Sequence, residues 1–321
     1  MNRKKRNICI WMTGIVILLL AIWADLMCGG EASGQVLWHL RTPRVLTALL
    51  AGAALALAGA QMQSVLRNPL ADPHIMGVSA GASLGAALAT MMTGRVATTL
   101  PHVLHGLSIA SAAFAGAVLS AAIILTASRR FRRASTLLIF GVMLGFIISA
   151  IVTILQFTSS AETLKIFYNW SAGSFSNAGW TDICIIAAAL IIGLFIAVAN
   201  NKGLDIILFG DEFATMAGAP AQNIRLSAIM SCSLITAAVT AFCGPLGFVG
   251  IVSPHIARGI FRTSTHRIII PASLLTGALI GLISDLISQA VSTPIPIAST
   301  MAVVGIPIII YILSKGGTYG E

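Results

Sequence analysis

The 321-residue chain contains very few charged residues. Asp, Glu, Lys and Arg together make up 9% of it and hydrophobic residues make up 57%, whereas about 25% of the residues of a soluble domain are charged. So little charge cannot cover a surface that faces water, and no polar stretch is long enough to form a separate soluble domain. The composition therefore excludes a soluble globular protein and predicts a single membrane domain over residues 1–321.

Several chemical motifs are also absent from the sequence. The five cysteines are scattered, without the Cys-x-x-Cys spacing of many metal and redox sites. There is no Gly-x-x-x-x-Gly-Lys-Ser/Thr loop for nucleotide phosphates, and no nucleophile, base and orienting residue stand out as a set. We therefore predict that this chain has no catalytic residue of its own, binds no metal and holds no cofactor.

Long apolar runs dominate the sequence, and ten of them approach the roughly 20 residues that a helix needs to cross a bilayer. They lack the alternation of barrel strands, and helices satisfy their own backbone groups in lipid. We therefore predict an all-α polytopic membrane protein with ten transmembrane helices. The first is retained; cleavage as a secretory signal is the alternative. The predicted spans are residues 8–27, 45–66, 74–93, 106–127, 135–157, 181–199, 225–243, 246–262, 268–290 and 297–313.

The basic residues predict the orientation of these spans. The formal net charge is +9, but the clusters within residues 3–6 and 129–133 lie at the ends of apolar runs. Lys and Arg are enriched in cytoplasmic segments, and ten spans with both termini in the cytoplasm put most of the 19 Lys and Arg on that side. We therefore predict a multi-pass protein with both termini cytoplasmic and no nucleic-acid partner.

Residues 200–224 form the longest segment on the predicted cytoplasmic side, and their centre predicts a short helix. Two acidic residues open it, and a glycine followed by a proline closes it. Three apolar residues share one face at i, i+3 and i+4 spacing. The residues of interest are Gly210, Asp211, Glu212, Phe213, Met216, Ala217 and Gly218.

Related breaks interrupt the apolar runs in two places. Asn68-Pro69-Leu70 is followed by Pro73-His74-Ile75, and Gly244-Pro245-Leu246 is followed by Pro254-His255-Ile256. The helices that carry these breaks are predicted to run in opposite directions. The pattern therefore predicts an inverted repeat of helices 2–5 and 7–10, with chance similarity as the alternative.

Small and polar residues around the first break are candidates for a translocation path. Glycines let helices approach closely in lipid, which is one interpretation of them, but beside the break they also predict a smooth-walled path. The polar side chains either line that path or bond a neighbouring helix. The candidates are Gln61, Gln63, Asn68, Pro69, Gly77 and Gly81.

Three charged residues are unusual for their positions. Arg41 and Arg44 precede the second span on the side where cations are depleted. They either reach lipid phosphates or bind carboxylates of an external partner. Asp285 lies inside an apolar run, where a carboxylate is costly; it is either functional or a satisfied structural group.

Together these residues resemble the FecCD-type permeases, the membrane subunits of ATP-driven importers of iron chelates and cobalamin. The resemblance extends from about residue 35 to residue 313, and its blocks are specific in combination. They are Arg41-Thr42-Pro43-Arg44, Gly59-Ala60-Gln61-Met62-Gln63, Arg67 through Pro73, Gly77 through Ala82, Trp170 through Ser174, Gly244 through Arg258, and His266-Arg267.

The resemblance implies a homodimer in the bacterial inner membrane, with ten helices per subunit around a central path. It implies two separate cytoplasmic ATPase subunits that bind ATP and Mg, and a periplasmic or lipoprotein substrate-binding protein. It makes the Gly210–Gly218 helix the coupling helix that contacts the ATPase. It makes Arg41 and Arg44 the residues that dock the binding protein.

The sequence departs from the family pattern at two positions near the predicted outer mouth. Gln289 stands about where the family often has Arg, and Thr293-Pro294 replaces a Glu that tends to precede the last span. Both changes bear on the binding protein and the chelate more than on the fold.

The expected function is transport of a metal chelate by alternating access, with a ferric siderophore as the first expectation and haem and cobalamin as the alternatives. An ion-coupled secondary transporter is an alternative of another class, although only Asp285 offers it an obvious intramembrane ionisable group. A membrane-embedded enzyme would need a catalytic cluster, which the sequence does not suggest.

Overall fold

The structure is a computed structural model that describes residues 3–28, 33–91, 109–131, 133–290 and 295–315. Every regular element within these ranges is helical, which confirms the all-α prediction. Predicted-span residues 92–93 and 106–108, and also Thr293 and Pro294, lie outside the described residues.

We number the helices in chain order and leave unnumbered a helical turn at Gly34–Val36, a π-helical turn at Leu37–Arg41 and a 3-10 turn at Pro73–Met76. The helices are α1 (Arg3–Met27), α2 (Thr42–Leu66), α3 (Val78–Met91), α4 (Ile109–Arg130), α5 (Ala134–Phe157), α6 (Ala161–Ser171), α7 (Trp180–Ala199), α8 (Asn201–Ile207), α9 (Asp211–Met216), α10 (Ala221–Cys243), α11 (Val249–Phe261), α12 (His266–Gln289) and α13 (Ile297–Lys315).

Seven helices in the described part of the chain are long and apolar enough to cross a membrane, namely α1, α2, α4, α5, α7, α10 and α12. Three shorter apolar stretches, in α3, α11 and α13, match the third, eighth and tenth predicted spans. The protein is therefore a polytopic membrane protein, and the count of ten crossings stays a prediction.

Two of the short helices are shorter than their apolar runs because the chain enters them in non-helical backbone. The 14 residues of α3 follow the 3-10 turn and Gly77, whose φ is +84°. The 13 residues of α11 follow Gly244 and Phe248, with φ of +80° and +70°. Hydropathy counts residues 74–77 and 246–248 as part of a span, although their backbone is not α-helical.

Helix α2 lies at the centre of the bundle. It is built mostly from Ala, Gly and Leu, and its small residues let other helices approach closely. In its most apolar 18-residue window 83% of the residues are buried, whereas none is buried in the corresponding window of α1. Helices α7, α10, α11 and α12 pack around α2, while α1 packs on the outside against α12.

Glycines bring the backbones of α2 and its neighbours into direct contact. A Cβ added at Gly52 would overlap the carbonyl oxygen of Gly277 on α12, and one at Gly281 would overlap that of Ala48. On another side of α2, a Cβ at Gly59 would overlap the backbone of Gly250 on α11. Since lipid gives helices no hydrophobic reason to associate, such close packing supplies the attraction.

The packing of the two predicted repeat units, α2–α5 and α10–α13, is reciprocal, as an inverted repeat predicts. Helix α2, the first of its unit, packs on α12, the third of the other unit. Helix α10, the first of the second unit, packs on α4 in the same way. Within each unit the second and third helices also pack together, α3 with α4 and α11 with α12.

We predict that Gly52→Ala destabilises the protein, because the new methyl group has no room beside Gly277. Overpacking of this kind costs about 1–3 kcal/mol, measurable as a lower midpoint of thermal unfolding in detergent. The matched control is Gly259→Ala in α11, where a Cβ meets nothing within 4 Å. Equal midpoints for the two variants would contradict the close contact.

Candidate functional site

The short helix predicted between the sixth and seventh spans is present as α9. Its six residues run from Asp211 to Met216. Gly210 before it has φ of +113° and Gly218 after it has φ of +76°, a region that residues with a Cβ rarely adopt. The two glycines therefore set α9 off as a separate helical turn.

The outer face of α9 is apolar and exposed. Phe213 and Met216 are 48% and 81% exposed, and Ala217 is exposed beside them. Phe209, which precedes the helix, is 74% exposed and lies over Phe213 with ring centroids 5.4 Å apart. The sequence analysis missed Phe209 because it precedes the helix.

The inner side of α9 is anchored to α10 by charge and by packing. The carboxylate of Asp211 pairs with the guanidinium of Arg225 in the first turns of α10. The Arg225 side chain is 4% exposed, and Ala214 in the middle of α9 is fully buried. The start of α10 and helix α9 are therefore held together.

The preceding helix, α8, is tied to two other helices through its Asp205. Asp205 Oδ1 accepts hydrogen bonds from the His266 backbone N–H, at 2.8 Å, and from His266 Nδ1, at 2.6 Å. The other ring nitrogen, Nε2, lies 2.6 Å from Ser64 Oγ on α2. Burial acts to raise the pKa of Asp205, but the hydrogen bonds and charge of His266 outweigh it and lower that pKa.

Arg44 and Asp285 meet at the opposite end of the bundle. Arg44 Nε and Nη2 donate to the two carboxylate oxygens of Asp285 over 2.8–3.0 Å. The Asp285 side chain is fully buried, and 18% of the Arg44 side chain is exposed. The isolated acid of the sequence analysis is therefore satisfied by one of the two arginines that the resemblance assigns to docking.

Gln289, at the position of a family arginine, joins this pair to α1. Its side-chain amide donates to Asp25 Oδ1 at 2.7 Å and to Asp285 Oδ2 at 3.0 Å. Asp25 is 1% exposed and was not singled out from the sequence. Arg41 lies next to this group and donates from Nη1 to the Leu26 carbonyl at 3.0 Å.

The glutamines proposed for the path are buried and bond neighbouring helices. Gln61 Nε2 donates to Ser231 Oγ on α10 at 3.0 Å. Gln63 Nε2 donates to the carbonyls of Gly250 and Ile251, and its Oε1 accepts from Arg258 at 2.5 Å.

The break after α2 is partly exposed and is also tied to α11. Asn68 Oδ1 accepts from the Leu70 backbone N–H at 3.0 Å, which closes the local turn. His255 Nε2 on α11 donates to the Pro69 carbonyl at 2.9 Å.

The two candidate glycines of the path lie at contacts between helices. A Cβ at Gly77 would approach the Gly141 carbonyl of α5 to 3.1 Å, and one at Gly81 would reach the Gly116 carbonyl of α4 at 2.5 Å. Within one chain, these placements agree with the packing interpretation. A role in lining the path stays a prediction for all six candidates.

The fold is that of a polytopic membrane protein in which the short helix α9 is exposed outside the long apolar helices. Residues 8–315 match the FecCD transport family. The chain therefore belongs to that family and is a multi-pass membrane permease of the ABC importer class.

Two relatives illustrate the similarity. The vitamin B12 import system permease protein BtuC of Klebsiella pneumoniae is 33% identical, over 98% of this chain and 95% of its own length. A putative ABC transporter permease protein of Methanocaldococcus jannaschii is also 33% identical, over 89% of this chain and 84% of its own length.

Among solved structures, the chain resembles an inward-facing conformation of a putative metal-chelate type ABC transporter. The TM-score is 0.85 at 26% identity, covering 95% of this chain and 99% of that one. PsaBC from Streptococcus pneumoniae, with a TM-score of 0.57 at 16% identity, shares the fold alone.

We predict that Asp285→Ala destabilises the permease by about 3 kcal/mol, since it leaves the Arg44 charge buried without its carboxylate. Replacing both partners, as Arg44→Met with Asp285→Leu, should recover most of the loss because neither member of the pair is left without its partner. Thermal unfolding in detergent measures both, with the exposed Lys165→Ala as control. A double variant that is less stable than Asp285→Ala would contradict this prediction, because the pair would then contribute stability beyond the removal of an unpaired charge.

Proposed function

We propose that this chain is the transmembrane subunit of an ATP-driven importer of metal chelates and works as a homodimer. Two separate cytoplasmic ATPase subunits would bind ATP and Mg, and a periplasmic or lipoprotein binding protein would deliver the chelate. The observation that carries the proposal is α9, an apolar helical turn exposed outside the spanning helices and anchored by Asp211 and Arg225.

The exposed face of α9 suits a groove in a water-soluble partner. Phe209, Phe213 and Met216 lie beside each other and face away from the bundle. Burying such side chains against a partner removes apolar area from water, at about 25 cal/mol for each Å². We therefore assign α9 as the coupling helix and place its end of the bundle, with both termini, in the cytoplasm of a bacterial inner membrane.

Transport follows from this assignment by alternating access. ATP binding draws the two ATPase subunits together, and each moves the α9 that it holds. Asp211 and Arg225 pass the movement to α10, and the two copies of the permease reorient around the path between them. This chain supplies the path and the lever, and the partner ATPase supplies the chemistry.

The placement of Asp285 supports this mechanism over ion-coupled transport. A secondary transporter needs an intramembrane ionisable group that gains and loses its ion during each cycle. Asp285 instead forms a bidentate ion pair with Arg44 and accepts a further hydrogen bond from Gln289. These partners favour a structural role for the acid.

We propose cobalamin as the first cargo to test, supported by the names of the relatives that cover nearly the whole chain. A ferric siderophore, the first expectation from the sequence, remains the second candidate. Gln289, which stands in place of the family arginine, bears on the contact with the binding protein and on the chelate selected.

We expect the permease, reconstituted in vesicles with its ATPase and binding protein, to accumulate radiolabelled cyanocobalamin only when ATP is supplied. Ferric hydroxamate and haem are tested in parallel, and an ATPase defective in hydrolysis is the control. Uptake that ignores ATP but collapses with a protonophore would refute the importer proposal. ATP-driven uptake of the ferric hydroxamate alone would reassign the cargo.

We predict that Phe213→Asp abolishes ATPase capture, because it puts a charge in the middle of the apolar face of α9. The measurement is co-purification of the ATPase with tagged permease. Phe157→Asp is the matched control, since Phe157 is 92% exposed and ends α5 at the opposite end of the bundle. Capture that survives Phe213→Asp would rule out α9 as the contact.

A further inference from the structure

Three helices meet in one chain of hydrogen bonds at the end of the bundle that carries α9. Asp205 of α8 accepts from His266, the first residue of α12, and His266 Nε2 lies 2.6 Å from Ser64 Oγ near the end of α2. A carboxylate only accepts hydrogen bonds, so His266 Nδ1 carries a proton toward Asp205. No packing of apolar side chains would fix three helices at such defined distances.

The order Ser, His, Asp resembles a hydrolytic triad, but the burial of the serine excludes that role. Ser64 is fully buried and His266 is 1% exposed. Ser64 Oγ also donates to the Ala60 carbonyl of its own helix at 2.9 Å. A substrate therefore has no approach to the hydroxyl, and the arrangement must serve the helices themselves.

The position of Asp205 along the chain suggests what it serves. It lies on α8, which ends at Ile207, and three residues connect that end to the start of α9. Leu204 and Ile207 of α8 are fully buried, which seats the helix against the bundle. Any displacement of α9 therefore pulls on α8 and, through Asp205, on His266 and Ser64.

Helices α2 and α12 are in a position to carry that pull across the membrane. Their backbones touch at Gly52 and Gly277 in the middle of the bundle. Arg44 and Asp285 join them again at the far end. The two helices are thus fastened at both ends and at their centre, so that they move as one body.

We propose that Asp205, His266 and Ser64 are positioning residues that transmit the movement of the coupling helix to the α2–α12 pair. This rests on the proposed function, which assigns α9 to the ATPase contact. Asp211 and Arg225 connect α9 to α10, and Asp205 provides the separate connection to the centre of the bundle.

Asp205 also interacts favourably with the end of α12 itself. The first turn of a helix carries unpaired N–H groups and a partial positive charge, and the Asp205 carboxylate accepts one of these N–H groups, that of His266. Such charge-assisted hydrogen bonds are about twice as strong as neutral ones. The three hydrogen-bonded residues Asp205, His266 and Ser64, here called the joint, therefore resist being pulled apart and transmit force in a fixed direction.

The test uses the full complex of permease, ATPase and binding protein in lipid nanodiscs, with Asp205→Ala and Ser64→Ala. One readout is the stimulation of ATP hydrolysis by the binding protein, which needs no identified cargo. The other is the ATP-dependent change in distance between spin labels at Leu40→Cys in the two copies, since Leu40 is 66% exposed just before α2. The labelled background carries serine at the five native cysteine positions.

The matched control is Ser120→Ala. Ser120 is 2% exposed and donates a buried hydrogen bond to the Gly77 carbonyl at 2.8 Å, away from α8. We expect Asp205→Ala and Ser64→Ala to lower the stimulation at least threefold and to remove the distance change. Ser120→Ala should lose similar thermal stability but keep both responses. ATPase capture should be unchanged in all three, because α9 is intact.

A double-mutant cycle separates transmission from general loosening. His266 is hydrogen-bonded to both Asp205 and Ser64, so Ser64→Ala should add little to the stimulation already lost in Asp205→Ala. The effects of Ser120→Ala and Asp205→Ala on the stimulation should instead add in the double variant. Asp205→Asn keeps an acceptor oxygen for the backbone N–H, so its stimulation of ATP hydrolysis should lie between those of wild type and Asp205→Ala. This variant replaces Asp205→Ala in the test if the alanine variant does not fold.

The outcomes distinguish this proposal from the proposed function. If wild type neither captures an ATPase nor responds to ATP, the importer assignment fails and the joint fails with it. If wild type shows both responses to ATP, and Asp205→Ala and Ser64→Ala keep them as Ser120→Ala does, the proposed role of the joint is refuted. The importer assignment then stands.

Discussion

The backbone contact between α2 and α12 is the constraint on which the rest of the structure depends. Gly52, Gly277 and Gly281 leave no room for a further side chain between the two helices, so one antiparallel register fits and neighbouring registers do not. That register brings Arg44 opposite Asp285 at one end and Ser64 opposite His266 at the other. A shift of one residue along either helix would separate both polar pairs.

Three buried polar residues of the bundle are paired between helices. Water cannot reach Gln61, Gln63 or Asp285, and an unpaired polar group in such a place costs several kcal/mol. Each of the three finds a partner on another helix. Gln289 belongs to the same arrangement, because its side-chain amide donates to both Asp25 and Asp285.

The sequence predicted the features that local chemistry determines. The strongest apolar runs became helices long and apolar enough to span a membrane, and the acidic start and the Gly218 end located α9. What it could not predict depends on which helices become neighbours. Asp25, Asp205 and Arg225 carry no local motif, and their roles come from partners tens or hundreds of positions away or from the fold around them. The glycines near Gly77 were ambiguous for the same reason, since path and packing both require small residues.

Different forces hold the parts of this chain on the two sides of the bilayer boundary, and α8 is where they meet. Inside lipid, helices associate through close backbone contact and paired polar groups. Outside it, the exposed face formed by Phe209, Phe213 and Met216 can be driven onto a partner by the hydrophobic effect. An apolar contact alone tolerates sliding, so a lever held in that way must pass its load to directional bonds before the load reaches the bundle. Asp211 provides such bonds from α9 to α10, and Asp205 provides the separate ones from α8 to α12.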